Sequence, residues 1–217
     1  MDNSRPFNPE MDPAAAQQQA SAVQMLGLQL PTDPRWVNLA ERSLEEVLTD
    51  HAYCEQKAAS TCISLIQQYP EHDKLVDELA PIVTEEWGHF RQVMRALRDR
   101  KLKLGRQRKD AYVNKLFAHI PKGQSREEVL LDKLLVAGLI EARSCERFRL
   151  LSLYLEDPVM RKFYHGFMVS EAGHYRLFLD LARTYFPVDE VQRRWDGWLA
   201  FEAEAIASLD LRGERMH

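Results

Sequence analysis

The sequence predicts an all-α protein: a four-helix bundle with a long crossover connection between its second and third helices, a fifth C-terminal helix and an N-terminal arm. Three observations carry that expectation. Apolar residues recur at intervals of three and four through most of the chain, the spacing of one helix face. Cap and breaker residues cut this pattern into long segments. No stretch alternates apolar and polar residues as a half-buried strand would, and only nine of 217 residues are glycine.

The elements follow in order. Residues 1–32 are rich in Pro, Ala and Gln, with few large apolar groups outside 23–30, and are expected to form a loosely ordered arm. Residues 33–217 are expected to form a single domain. Asp33 followed by Pro34 supplies an N-cap and a proline at the first helical position, opening a helix over about 34–69 that Pro70 ends. Its apolar lane runs through Leu44, Val47, Leu48, Ala52, Glu55, Ala58, Ala59, Cys62 and Ile66. A second helix is expected over about 73–104, with Pro81 either kinking or restarting it and Gly105 as its stop. Residues 105–124 read as the crossover connection, with a helical turn around 110–119. Ser125 with Glu128 is a capping-box signature that opens a third helix, 125–155. Asp157 and Pro158 repeat the cap-plus-proline signal for a fourth, 158–185. Beyond Pro187 a fifth, 188–209, carries Trp195, Trp198 and Phe201 on its apolar side, for packing against the bundle.

Composition excludes several classes. A chain of 25.2 kDa with 45% apolar residues can bury one core but hardly two. No apolar run approaches the ~20 residues of a membrane helix, and the polar N-terminus is unlike an export signal. Cys54, Cys62 and Cys145 are odd in number and lack the spacing of a zinc site, so small buried thiols in a reducing cytoplasm are expected. The formal net charge of −4 taken alone argues against a nucleic-acid partner.

Chemistry enters through a repeated pattern. Glu86 and His89 lie three apart on the second helix, and Glu171 and His174 lie three apart on the fourth. Residues three apart share a helix face, so each ExxH presents a carboxylate and an imidazole to one point. Each pair is preceded by an isolated glutamate in the apolar lane of the previous helix: Glu55 is 31 residues before Glu86, and Glu141 is 30 before Glu171. A carboxylate in such a lane costs several kcal/mol to desolvate unless it is paired, protonated or bound to metal. Glu146 competes with Glu141 but falls on another face, among Ala142, Arg143 and Arg149. One Glu from each of two helices and one ExxH from each of two others is the ligand set of ferritin-like di-iron and di-manganese proteins. Four carboxylates and two imidazoles suit iron or manganese better than zinc, and oxygen chemistry at a di-iron pair is the expected reaction type. His51, one turn before Glu55, is read as a core hydrogen-bonding group that could support the ligand. His72, His119, His165 and His217 show no partner pattern.

The second signal is electrostatic. Residues 91–109 hold nine cations, Arg91, Arg95, Arg98, Arg100, Lys101, Lys103, Arg106, Arg108 and Lys109, against Asp99, a local charge of +8 that leaves −12 for the remainder. So dense a run beside the expected metal ligands reads as a polyanion-binding surface. Lys115, Lys122 and Arg126 extend it by expectation, with Tyr112 and Phe117 for base stacking.

Taken together, EEWGHF at 85–90, GLIEARSCERF at 138–148 and SEAGHYRLF at 170–178 resemble the bacterial tRNA 2-methylthio-isopentenyladenosine hydroxylase family over about residues 34–185. The resemblance implies a ferritin-like di-iron monooxygenase, with iron ligands at Glu55, Glu86, His89, Glu141, Glu171 and His174, O₂ as co-substrate and the tRNA anticodon stem-loop as partner. No flavin fingerprint or cysteine-ligated cluster is present in the sequence, so electrons are expected from an external electron-transfer protein or reductase. A monomer without membrane attachment is expected. Two other readings share parts of the pattern: a ferritin-like or rubrerythrin-like iron oxidase or manganese catalase without RNA substrate, and a non-enzymatic helical RNA-binding module.

Overall fold

The computed structural model describes residues 26–210, 212–213 and 215–216 and contains seven helices among them. In chain order these are α1 (Trp36–Arg42), α2 (Leu44–Gln68), α3 (Asp73–Asp99), α4 (Ala111–His119), α5 (Arg126–Tyr154), α6 (Pro158–Tyr185) and α7 (Val188–Ala207). None of the described helices is long and apolar enough to cross a membrane. Their contacts form two compact units: residues 42–109 with 215–216, and the remaining described residues.

In the unit containing 42–109, α2 and α3 pack together through the short turn at 69–72. The expected first helix is interrupted: Ser43 leaves helical geometry at φ −120° and ψ 33°, and α2 restarts with Glu45 and Glu46 in its first turn, where carboxylates favour the helix dipole. Pro81 lies within α3, which continues past it. The helix ends at Asp99 rather than near Gly105. Lys101 adopts φ 58°, its N–H donates to the Arg98 carbonyl (2.9 Å), and the Leu102 N–H donates to the Leu97 carbonyl (2.9 Å). This is a Schellman stop with a lysine where glycine is usual. Gly105 serves a different purpose. Its N–H donates to Thr49 Oγ1 (3.1 Å) and its carbonyl accepts from Tyr53 Oη (3.0 Å). With Lys103 N–H on Glu45 Oε1 (3.1 Å) and Arg108 on the Glu46 carbonyl (3.1 Å), these bonds lay 103–108 along the start of α2.

In the other unit, α5 and α6 form the most extensive pairing, with α7 and α4 packed on α5. The expected caps are in place. Ser125 and Glu128 form a reciprocal capping box, and Asp157 accepts from the Val159 and Met160 N–H groups ahead of Pro158. A cap that the sequence analysis did not single out starts α4, where Asp110 accepts from Val113 N (3.0 Å). Helix α5 is buried on nearly all sides, so it must satisfy polar groups inside the core. Arg143 donates to both oxygens of Glu202 (2.8 and 2.9 Å), to Glu146 (2.5 Å) and to the Leu30 carbonyl (2.9 Å). Thr32 donates to Glu146 through its N–H (2.8 Å) and its hydroxyl (2.6 Å). Arg147 stands over the Trp36 ring at 4.8 Å.

That network alters one expectation about the arm. Residues 1–25 lie outside the described part, but the segment 26–32, expected to be loose, is packed: Leu26 and Leu28 are buried and Thr32 is bonded to Glu146. Its anchoring partners lie more than a hundred residues away, out of reach of local pattern. Trp195 and Trp198 are buried as expected, and Trp198 donates to Asp132 (3.0 Å).

Candidate metal centre

Each unit carries one buried triad of ligand-type side chains. On α2 and α3, donor atoms of Glu55, Glu86 and His89 lie within 4.8 Å of one another. The one-turn offset of Glu86 and His89 brings His89 Nδ1 to 3.1 Å from Glu86 Oε2, and the packing of α2 on α3 brings it to 3.4 Å from Glu55 Oε2. Glu55 Oε1 is held by His51 Nε2 at 2.6 Å. On α5 and α6, donor atoms of Glu141, Glu171 and His174 lie within 4.8 Å of one another, with His174 Nδ1 3.7 Å from Glu171 Oε2. All six side chains are buried, the four carboxylates at 6% exposure or less.

The chemistry of this donor set fits a first-row metal. Each triad offers two carboxylates and one imidazole, hard oxygen and borderline nitrogen donors of the kind iron and manganese take. Both histidines turn Nδ1 toward a carboxylate, which is the atom each would give to an ion. His51 supports Glu55 as an outer partner supports a ligating carboxylate.

Glu146, the weaker candidate on α5, is engaged elsewhere by Arg143 and Thr32. Cys145 points its thiol at the Met168 carbonyl (3.4 Å). Burial pushes that thiol up to about 12, helped by the negative charge of Glu171 and Glu141. It is a small buried hydrogen-bonding group and not a thiolate.

The cationic run is two structures in sequence. Arg91, Arg95 and Arg98 are exposed on α3, while Lys101, Lys103, Arg106 and Lys109 are exposed on the irregular segment bound along α2; Arg100 and Arg108 are half-buried, Arg108 beside Glu46. Lys115, Lys122 and Arg126 are exposed in the other unit, and Arg126 pairs with Glu127. The expectation that Tyr112 stacks on a base is overturned. It is fully buried, its hydroxyl donates to Glu202 Oε1 (3.2 Å), and burial raises its pKa well above the ordinary tyrosine range. Phe117 remains exposed. His119, without a partner pattern in the sequence, stacks on Phe201 at 3.5 Å between ring centroids.

Residues 19–217 match the model of the tRNA-(ms2io6A)-hydroxylase (MiaE) family. The chain belongs to this family. It is 38% identical to the tRNA 2-(methylsulfanyl)-N(6)-isopentenyladenosine(37) hydroxylase of Pseudomonas putida over 181 residues, covering 83% of this chain and 86% of that one. A relative of the same name from Salmonella typhimurium is 28% identical over 240 residues of alignment, covering 88% and 87%. A solved Synechococcus structure, described as protein 43 with aldehyde deformylating oxygenase activity, superimposes with a TM-score of 0.82 at 36% identity, covering 88% of this chain and 94% of that one. This chain is therefore an enzyme of the hydroxylase type, and the expected all-α, ferritin-like fold is the observed one.

Proposed function

We propose that this chain is a cytoplasmic di-iron, O₂-dependent monooxygenase that hydroxylates the isopentenyl side chain of 2-methylthio-isopentenyladenosine next to the tRNA anticodon. The observation that carries the reading is the pair of buried Glu-plus-ExxH triads in a member of a tRNA hydroxylase family. Glu55, Glu86, His89, Glu141, Glu171 and His174 would hold two irons, the carboxylates offsetting their charge and the two imidazoles completing the set. When bound, such a pair supplies the O₂ activation that removal of hydrogen from an unactivated carbon requires, which no side chain can provide. His51 keeps Glu55 oriented so that Oε2 faces His89.

The cations at Arg91, Arg95, Arg98, Arg100, Lys101, Lys103, Arg106, Arg108 and Lys109 hold anticodon-stem phosphates, while the modified purine, already in a single-stranded loop, is turned out at low cost. Electrons come from a separate electron-transfer protein or reductase. The test is iron content together with turnover of tRNA carrying the modified adenosine. Glu141→Ala and His174→Ala are expected to lose iron and activity while keeping helical circular dichroism; full iron retention in both variants would refute the ligand set. Neutralising Arg95, Arg98, Arg106 and Arg108 is expected to weaken tRNA binding and flatten its salt dependence with iron unchanged.

A further inference from the structure

Helix α3 carries an exposed aromatic feature that the metal ligands do not need. Of the four tryptophans, Trp36, Trp195 and Trp198 are buried, whereas Trp87 is 48% exposed. Trp87 sits between Glu86 and His89 in sequence, yet it is exposed where both of them are buried. Phe90, half-buried one turn on, stacks against it, with centroids 4.8 Å apart and planes inclined by 19°. An indole backed on one side by a second ring and left half in water is a flat apolar surface open to a further partner.

The charge along the same helix says what chemistry fits that surface. Arg91, Arg95 and Arg98 follow Trp87 at steps of four, four and three, which keeps them on one face over roughly 16 Å of helix. All three are exposed, and none forms an ion pair with a described residue; Arg98 donates one hydrogen bond to the Met94 carbonyl (3.1 Å). A planar aromatic surface at the head of a line of uncompensated guanidinium groups matches the two requirements of a single-stranded nucleic acid: a π-face for a base and cations for the phosphates beside it.

We propose that Trp87, backed by Phe90, is the stacking platform for one unpaired base of the RNA substrate, and that Arg91, Arg95 and Arg98 hold the adjoining phosphates. The assignment rests on the tRNA-hydroxylase reading above and adds to it where the loop is gripped. Of the two rings that the sequence offered for stacking, Tyr112 is enclosed and Phe117 is exposed on α4, whereas Trp87 stands on the same helix as Arg91, Arg95 and Arg98.

The experiment uses the full-length iron-loaded chain and a fluorescein-labelled anticodon stem-loop carrying the modified adenosine, with a fully paired RNA of equal charge as control. Trp87→Ala is expected to weaken stem-loop binding by about fivefold to a hundredfold, the loss of one stacked base, and to leave duplex binding unchanged. Trp87→Phe should restore most of the affinity. Arg91→Gln with Arg95→Gln should weaken both RNAs and reduce the salt slope by about one unit per arginine, whereas Trp87→Ala should leave the slope alone. Stem-loop addition should also shield tryptophan emission from acrylamide in the native chain and not in Trp87→Phe. If native protein binds the stem-loop and Trp87→Ala binds it equally well, the platform is wrong and the substrate reading stands. If Trp87→Ala slows only reductant-driven turnover, the surface belongs to a protein electron donor and the proposal is overturned. If native protein does not bind the stem-loop, the substrate reading fails and the platform with it.

Discussion

His51 Nε2 lies 2.6 Å from Glu55 Oε1, one helical turn apart on α2 and with both side chains buried. The bond takes up one carboxylate oxygen and leaves Oε2 turned toward His89 Nδ1 at 3.4 Å. His51→Leu should therefore free Glu55 to rotate and lower iron affinity about tenfold to a hundredfold, the usual effect of removing a ligand's outer partner. Chelator competition measures this directly. Unchanged retention of iron would mean that His51 is core packing alone.

The Arg143–Glu202 pair supports a second prediction, about stability. Burial pushes the Glu202 carboxyl up and Arg143 opposes that shift, while Glu146 and Glu202 raise the Arg143 guanidinium despite its burial. Arg143→Leu strands two carboxylates in the core and should cost about 3–5 kcal/mol in urea unfolding. The sign with pH follows. Without Arg143 the pKa of Glu202 rises further, and a raised carboxyl is least costly when protonated, so the deficit should shrink as pH falls through that raised value. A deficit that grew on acidification would contradict the assignment.

Gly213 permits a close approach that no other residue could make. A Cβ there would lie 2.4 Å from the Leu39 carbonyl carbon on α1, beside the bond from Trp36 Nε1 to the Arg212 carbonyl (3.0 Å). Gly213→Ala should force this contact apart and lower stability by about 1–3 kcal/mol, as overpacking does. Thermal denaturation of the variant is the check, and an unshifted midpoint would show that the C-terminal segment does not hold α1.

Cys145 offers a chemical test of burial. With its pKa pushed up to about 12, it stays a thiol at pH 8, whereas an unfolded cysteine ionises near 9. Iodoacetamide at pH 8 should modify half-buried Cys54 first and spare Cys145 until the chain unfolds. The linkage has the matching sign: the contribution of Cys145 to stability is complete below pH 9 and is lost as pH rises toward 12, because the unfolded chain releases the proton first. Mass spectrometry of the labelled peptides settles the order.

Local physics made much of this protein readable from its sequence. Ser125 with Glu128, Asp157 with Pro158, and Asp110 fix helix starts through bonds spanning three residues or fewer, so α4, α5 and α6 begin where those residues stand. The ExxH pairs are equally local, since a three-residue offset aligns Glu86 with His89 and Glu171 with His174 in any α-helix. The tertiary structure decided what depends on distant partners. Lys101 and not Gly105 ends α3, Tyr112 is sealed against Glu202, and Arg143 joins Glu146 to a glutamate 59 residues away. A side chain's partner across the core leaves no periodic mark on its own helix, so sequence spacing reveals which residues share a face, and only packing determines what that face meets.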